Sequence, residues 1–158
     1  MKKKKLSILL AAIFLLVGCS KTENGLSGAK PPDVLISAES GRLKSTLGTY
    51  CWSSKGRGVC ADTAGPYELL KDKKPLAVEP NERVSIEMDF EPKPDEIHFT
   101  KMVEENKEEE LKLENGQTFQ APGQKGIYTY VYSVWWMDNK HKNTSLGDAF
   151  YTFKLEVE

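Results

Sequence analysis

Residues 126–137 read GIYTYVYSVWWM, and this stretch decides the fold class. Every second side chain in it is large: Tyr128, Tyr130, Tyr132, Val134 and Trp136. Successive side chains of an extended chain point to opposite faces, so this period of two predicts a β-strand with one face in a core. The neighbours Trp135 and Trp136 therefore face opposite ways. We expect Trp136 in the core and Trp135 on the outward face.

The same period recurs along the chain. Residues 149–157 repeat it with Ala149, Tyr151, Phe153, Leu155 and Val157 on one face. Residues 84–90 alternate as well, and Asn115 with Gly116 forms a strong hairpin turn signal. Together with shorter runs near residues 34–38, 97–99 and 111–113 and on both sides of residues 53–58, these patterns predict about eight strands. The predicted fold is an all-β, antiparallel sandwich, and its best helical segment is short, residues 66–71.

The first 20 residues are organised as an export signal. Four lysines at positions 2–5 precede an apolar run over residues 6–17, and Gly18 and Ser20 flank Cys19. A basic region, a short apolar region and a small-residue processing site are typical of a secretory signal peptide. The apolar run is shorter than the roughly 20 residues that a membrane-spanning helix needs. An ordinary secreted protein, in which Cys19 is incidental, is the alternative.

The sequence Leu16-Val17-Gly18-Cys19 resembles the lipobox of bacterial lipoprotein precursors. In that family the cysteine thiol is diacylglycerylated and the signal peptide is cleaved just before it. The resemblance implies that residues 1–18 are removed and that Cys19 becomes a lipid-bearing N-terminus, anchored in the cell membrane on its extracytoplasmic face. Residues 19–32 then form the lipidated N-terminus with a polar, flexible tether. Residues 33–158 form the sandwich domain.

Processing leaves an acidic chain. The signal carries four of the 22 Lys and Arg residues and none of the 23 acidic residues, so residues 19–158 have a formal charge of −5. A net negative charge is not typical of a nucleic-acid-binding protein, which carries an excess of basic residues. It also gives no polybasic attraction to anionic lipid, so membrane attachment would come from the acyl chains.

Cys51 and Cys60 remain as a pair once Cys19 is acylated. They flank the turn signals of residues 53–58, and facing residues of a hairpin lie about 4.5–5.5 Å apart, within disulfide reach. Export also favours oxidation. The alternative is two reduced cysteines that bind a metal, but the sequence offers no second Cys or His pair to complete a tetrahedral site. We predict a Cys51–Cys60 disulfide, with no metal and no cofactor.

Residues 122–130, PGQKGIYTY, resemble the corner that enters the penultimate strand of immunoglobulin-like and fibronectin-III-like domains. In those domains a tyrosine near the strand start bonds to the backbone of the preceding loop, and Tyr128 matches it. Tyr130 stands where antibody domains have cysteine, so the resemblance implies no inter-sheet disulfide. Residues 50–158 are also similar to small lipoproteins of Gram-positive bacteria, a likeness that implies no particular activity.

Residues suited to catalysis are few. The two histidines, His98 and His141, fall on the polar face of a strand and in a hydrophilic loop, where surface positions without a role are expected. The densest acidic cluster comprises Glu104, Glu105, Glu108, Glu109 and Glu110. It lacks the alternating ligands and central glycine of a calcium loop, so a solvated loop or frayed helical turn is expected. No nucleophile elbow or phosphate-binding loop occurs. We therefore do not expect an enzyme.

Binding is the remaining class of function, and the aromatic residues are its best candidates. Trp52, Trp135 and Phe150 are candidates for one exposed patch, with Arg57 at the hairpin tip as a further candidate contact. Coverage of these residues by a loop or strand, or packing of Trp52 on the disulfide, is the alternative. The sequence thus favours a membrane-anchored, non-catalytic binding or accessory module whose partner is an envelope protein, glycan or peptide. A structural or stress-protective envelope component without a specific ligand is the second hypothesis, and an envelope enzyme is the third.

Overall fold

The computed structural model describes residues 25–158, so the predicted signal peptide, residues 1–18, and Cys19 lie outside the described residues. The described chain forms eleven strands and one short helix. In chain order these are β1 (Val34–Ala38), β2 (Gly41–Lys44), β3 (Thr46–Ser54), β4 (Arg57–Ala61), α1 (Pro66–Leu69), β5 (Leu76–Val78), β6 (Arg83–Met88), β7 (Glu96–Glu104), β8 (Lys107–Leu111), β9 (Thr118–Gln120), β10 (Gly126–Met137) and β11 (Ser145–Val157).

Two sheets face each other, which confirms the all-β sandwich. The smaller sheet has the order β2-β1-β6-β9, and the larger has the order β4-β3-β11-β10-β7-β8. All these pairs are antiparallel, whereas β5 joins the last residues of β11 in parallel. The strand number exceeds the expected eight because very short strands such as β2 and β5 are held by pairing with β1 and β11. Their sequences are too short to show a period of their own.

The core lies between the sheets and follows the predicted faces of β10 and β11. Tyr130 stacks on Phe99 and Phe153 with ring centroids 5.5 and 5.2 Å apart. Each of these rings is almost fully buried. Burial raises the pKa of the Tyr130 phenol well above its usual value of 10, because the charged phenolate would lose its hydration.

A second aromatic group closes one end of the core. Trp52, Phe90 and Trp136 meet edge to face with centroids 5.0–5.6 Å apart. Trp136 is 1 % exposed, which confirms its predicted core position, and its Nε1 donates to the Pro92 carbonyl oxygen at 2.8 Å. The buried indole therefore keeps its hydrogen bond, as burial of a polar atom requires.

The tyrosine corner is present. The Tyr128 hydroxyl donates to the backbone carbonyl oxygen of Gln124 at 2.9 Å. This is the bond from strand to preceding loop that the resemblance to immunoglobulin-like domains implies. It fixes how the chain enters β10.

The connection from β4 to β5 crosses the outer face of the larger sheet. It contains α1, which confirms the short helix, and α1 contacts β3, β10 and β11. Leu70, just after α1, is 3 % exposed. Beneath this crossover, Val131 and Thr152 are buried although they point away from the main core. The outer face is thus partly covered by the chain itself.

The described N-terminal segment packs on the domain, so the expected flexible tether is wrong for residues 26–32. The Leu26 N–H donates to the Ser53 carbonyl oxygen at 2.8 Å, and the Leu26 side chain is 5 % exposed. Further along, Trp52 Nε1 donates to the Gly28 carbonyl oxygen at 3.3 Å. The Tyr151 hydroxyl donates to the Pro32 carbonyl oxygen at 2.8 Å. The segment is ordered because it buries an apolar side chain and accepts hydrogen bonds from two core aromatics.

Candidate functional site

A depression lies beside the β3–β4 hairpin. Its volume is about 560 Å³, and we call it the hairpin groove. Trp52 pairs with Val59 and Ser54 pairs with Arg57, so these four side chains share the inner face of the hairpin. The N-terminal segment forms the opposite wall. The groove is lined by Gly28, Ala29, Trp52, Ser54, Arg57 and Val59, with Lys55 at the turn.

The hairpin is held by a two-residue turn and a disulfide. Lys55 and Gly56 have φ values of 50° and 74°, and two successive positive φ values are typical of the hairpin turn that matches strand twist. On the outer face, Cys51 lies opposite Cys60, their sulfur atoms are 2.01 Å apart, and their Cα atoms are 4.1 Å apart. The predicted disulfide is therefore confirmed.

The groove combines apolar surface with positive charge. Val59 is 50 % exposed, and Trp52 contributes the floor although its side chain is 1 % exposed overall. Lys55 and Arg57 stand at the turn end and form no ion pair with any residue of the described chain. Among residues 25–158, no carboxylate lines the groove. Its chemistry therefore suits a ligand with an apolar part and a negative group.

The candidate aromatic patch does not form, and the alternative, coverage of the side chain, holds for Trp52. Trp52 faces the core, and of the four predicted contact residues only Trp52 and Arg57 meet, in the hairpin groove. Trp135 and Phe150 lie on the outer face of the larger sheet, where both are half-buried. The alternation of side chains along the sequence could not show that Trp52 and Arg57 lie on one face and Trp135 and Phe150 on the other, because the face to which Trp52 points depends on where β3 joins the sheet.

Trp135 and Phe150 each have a close neighbour that accounts for them. Trp135 meets the His98 ring edge to face, with centroids 5.4 Å apart. Phe150 lies over Gly48, where a Cβ atom would come within 2.0 Å of the ring. The pairing of β11 with β3 is irregular here, since one residue of β11 faces two of β3. Both outward aromatics therefore serve packing within the sheet.

The acidic cluster is part of a β-hairpin, so the expected loop or frayed helical turn is wrong. Glu108, Glu109 and Glu110 lie in β8, and their carboxylates contact Thr100, Lys101 and His98 of β7 at 2.7, 2.8 and 3.4 Å. Cross-strand hydrogen bonds and charge pairs of this kind stabilise pairing against the weak β-propensity of glutamate. Within residues 25–158 no group of three or more His, Cys, Asp or Glu residues is arranged to hold a metal ion.

His141 is exposed in the β10–β11 loop. Its Nδ1 lies 2.7 Å from Asp138 Oδ2. The hydrogen bond from His141, followed by one from the Lys140 N–H, lowers the pKa of the Asp138 carboxyl. This contact orders the loop locally.

A smaller depression of about 390 Å³ lies between the β1–β2 and β5–β6 turns, and Glu82 organises it. The Glu82 carboxylate accepts the Ser40 N–H at 3.0 Å and the Glu79 N–H at 2.7 Å. Burial raises the pKa of Glu82, but the hydrogen bonds from Ser40 and Glu79 outweigh it, and the pKa falls below 4.5. This carboxylate ties two turns together.

Replacing Glu82 with glutamine should lower stability at neutral pH. The glutamine side chain keeps one accepting oxygen, but its NH₂ group cannot accept the second of the two N–H groups. We expect the unfolding free energy to fall by about 1 kcal/mol. This is less than the loss of a fully buried hydrogen bond to a charged group, because Glu82 is partly exposed. The folded pKa is depressed, so the wild-type advantage exists above pH 4.5 and disappears as pH falls through the lowered value. Urea unfolding at pH 7 and pH 3 measures this. Glu79→Gln is the control, and an equal difference at both pH values would contradict the prediction.

Comparison of the chain with protein-family models, with curated proteins and with solved structures gives no match. Across residues 25–158 no helix is long and apolar enough to span a membrane.

Proposed function

We propose that this protein is an extracytoplasmic lipoprotein, anchored through Cys19, that acts as a non-catalytic binding or accessory module. The hairpin groove carries the proposal. It joins exposed apolar surface to Lys55 and Arg57, which form no ion pair within residues 25–158, while residues 19–158 as a whole have a charge of −5. Small sites of this composition recognise ligands by placing a few polar groups around an apolar surface.

The chain path supports a location of this groove near the membrane. Leu26 is hydrogen-bonded to Ser53, at the end of β3 that leads into the hairpin turn. Cys19 precedes Gly25 by six residues, which span about 20 Å when fully extended. An acyl anchor on Cys19 would therefore hold the turn end of the hairpin within about this distance of the lipid surface. The partner expected there is another envelope component.

Anchoring is tested by replacing Cys19 with alanine and separating cells into membrane and soluble fractions. We expect nearly all wild-type protein in the membrane fraction and the variant in the soluble or released fraction, because alanine has no thiol to carry the acyl chains that supply the anchor. Ser20→Ala is the matched control and should stay with the membrane. Unchanged membrane association of Cys19→Ala would contradict lipid attachment through this residue.

Binding is tested by crosslinking the anchored wild-type protein in whole cells and recovering it. We expect a protein, glycan or peptide partner to be recovered with it. Recovery of the protein alone under several growth conditions would contradict the binding function and favour the structural or stress-protective role.

A further inference from the structure

We propose that strand β4 accepts an extended, acidic peptide as an additional strand of the larger sheet. This inference rests on the proposed binding function and names its site and the class of its ligand. β4 is an edge strand: in the described chain it pairs with β3 alone. The edge of a sheet presents backbone N–H and C=O groups, which an extended segment of another chain can pair with.

The register shows which backbone groups of β4 are open. Cys60 faces Cys51 with their Cα atoms 4.1 Å apart, the short spacing of an antiparallel pair that exchanges no hydrogen bonds. The N–H and C=O groups of Cys60 therefore point away from β3. Gly58, two residues earlier, points the same way.

An independent contact leads to the same assignment of outward-pointing backbone groups. Ser53 faces Gly58, and the Ser53 carbonyl oxygen accepts the Leu26 N–H on the side away from β4. Ser53 and Gly58 are thus also a pair without mutual hydrogen bonds. Gly58 and Cys60 together offer two donors and two acceptors, and both residues are exposed.

The other sheet edges are protected, whereas β4 is not. β8 carries Lys107 and three glutamates, β2 carries Arg42 and Lys44, and β5 and β9 are only three residues long. Charge and short length are the usual protection of an edge against added strands. β4 has a single charge, Arg57, at its first position, followed by Gly58, Val59, Cys60 and Ala61.

Charge determines the occupant. Lys55 and Arg57 form no ion pair within residues 25–158, and they stand at the turn end of β4. Asp62 follows the other end of the strand. A bound strand therefore carries its carboxylate at the turn end, and its alternate side chains face Val59 and the hairpin groove.

A second copy of this chain fits less well. Antiparallel pairing of two β4 strands about Val59 brings Arg57 beside Ala61 of the other copy. Asp62 of that copy then lies opposite Gly56, and the alternation of faces puts it on the Cys60 side of the sheet, so Arg57 receives no carboxylate on its own face. The acidic strand β8 does not supply them either, because Glu108, Glu109 and Glu110 are engaged with β7. Self-association is therefore an outcome of the test.

The test uses the detergent-solubilised full-length protein and a fluorescent peptide in which threonine and valine alternate over eight residues before two glutamates. Fluorescence anisotropy should show saturable binding. A peptide with alternate N-methylated amides keeps its side chains but loses strand pairing, and a peptide with lysines in place of the glutamates loses the charge match. We expect the N-methylated peptide to bind at least about tenfold more weakly, the equivalent of one backbone hydrogen bond, and the lysine peptide to bind about tenfold more weakly because it loses the charge match.

Two pairs of variants locate the site. Gly58→Pro removes an outward N–H without touching the bonds to β3, and it should weaken binding about tenfold, whereas Gly58→Ala keeps the N–H and should bind like wild type. Arg57→Glu should weaken binding about fivefold at low salt, whereas Arg42→Glu makes the same charge change on the β2 edge and should not. Circular dichroism and an intact disulfide verify that each variant is folded.

Several results would overturn the proposal: no binding of the glutamate peptide, equal binding of the N-methylated peptide, or equal binding by Gly58→Pro. Concentration-dependent dimerisation that Gly58→Pro abolishes would replace the peptide with a second copy. Crosslinking in cells separates this inference from the binding function. A partner recovered equally by Gly58→Pro and wild type would overturn the β4 site and leave the function standing, whereas no partner with wild type would contradict the function itself.

Discussion

Replacing Trp136 with alanine should lower the free energy of unfolding by about 3–5 kcal/mol, the largest loss that we expect from a single substitution here. Its indole is 1 % exposed and meets the rings of Trp52 and Phe90 edge to face. The substitution removes these contacts, leaves a cavity at one end of the core, and leaves the Pro92 carbonyl oxygen without its donor. Urea or guanidinium unfolding, followed by tyrosine and tryptophan fluorescence, measures the change.

Trp135 supplies a matched control from the neighbouring position of the same strand. It is half-buried on the outer face, and its recorded ring contact is with His98. Trp135→Ala should therefore cost no more than about 1.5 kcal/mol, because less apolar surface returns to water and no sealed cavity forms. Equal losses for the two variants would show that the two faces of β10 are not packed as described.

Removing the disulfide should have the second-largest effect. Replacing both Cys51 and Cys60 with alanine should lower the unfolding free energy by roughly 2.5–3 kcal/mol, since the unfolded chain regains the entropy of a short closed loop. The sequence separation is nine residues. Reduction of the wild-type protein should give a similar loss, and the same reductant should leave the double variant unchanged.

The variant without the disulfide also tests the proposed peptide site on β4. The disulfide holds β4 against β3 next to the edge groups of Gly58 and Cys60. We expect the double variant to bind the glutamate peptide more weakly than wild type, because ordering the hairpin would then accompany binding. Alkylation of two free thiols in the unreduced protein, or an unchanged unfolding free energy, would contradict the stabilising role of the bond.

Local patterns predicted the long strands well. The alternation in residues 126–137 and 149–157 placed the inward faces of β10 and β11 correctly, including the assignment of Trp136 to the core. The cysteine pair around a turn signal predicted the β3–β4 hairpin and its bond. These signals work because strand periodicity and hairpin closure depend on residues close together in sequence.

The site was predicted only in part. Arg57 and Trp52 do meet, but Trp52 forms the floor of a groove instead of an exposed contact, and Val59 and the N-terminal wall were missed. The one available signal for that wall was Leu26, an isolated apolar residue in a polar segment. Its meaning depends on a hydrogen bond to Ser53, 27 residues away, which no local pattern contains.

By itself, the sequence determined that the chain forms an all-β sandwich, which side chains of its long strands face the core, and where the disulfide forms. The tertiary structure decided which strands became edges, how residues 26–32 pack, and that the carboxylates of β8 are engaged while Lys55 and Arg57 form no ion pair within the described chain. The physical reason is the range of the interactions. The side-chain period is a property of one strand, whereas an open edge, a groove and an unpaired charge depend on which distant segments the fold brings together or leaves apart.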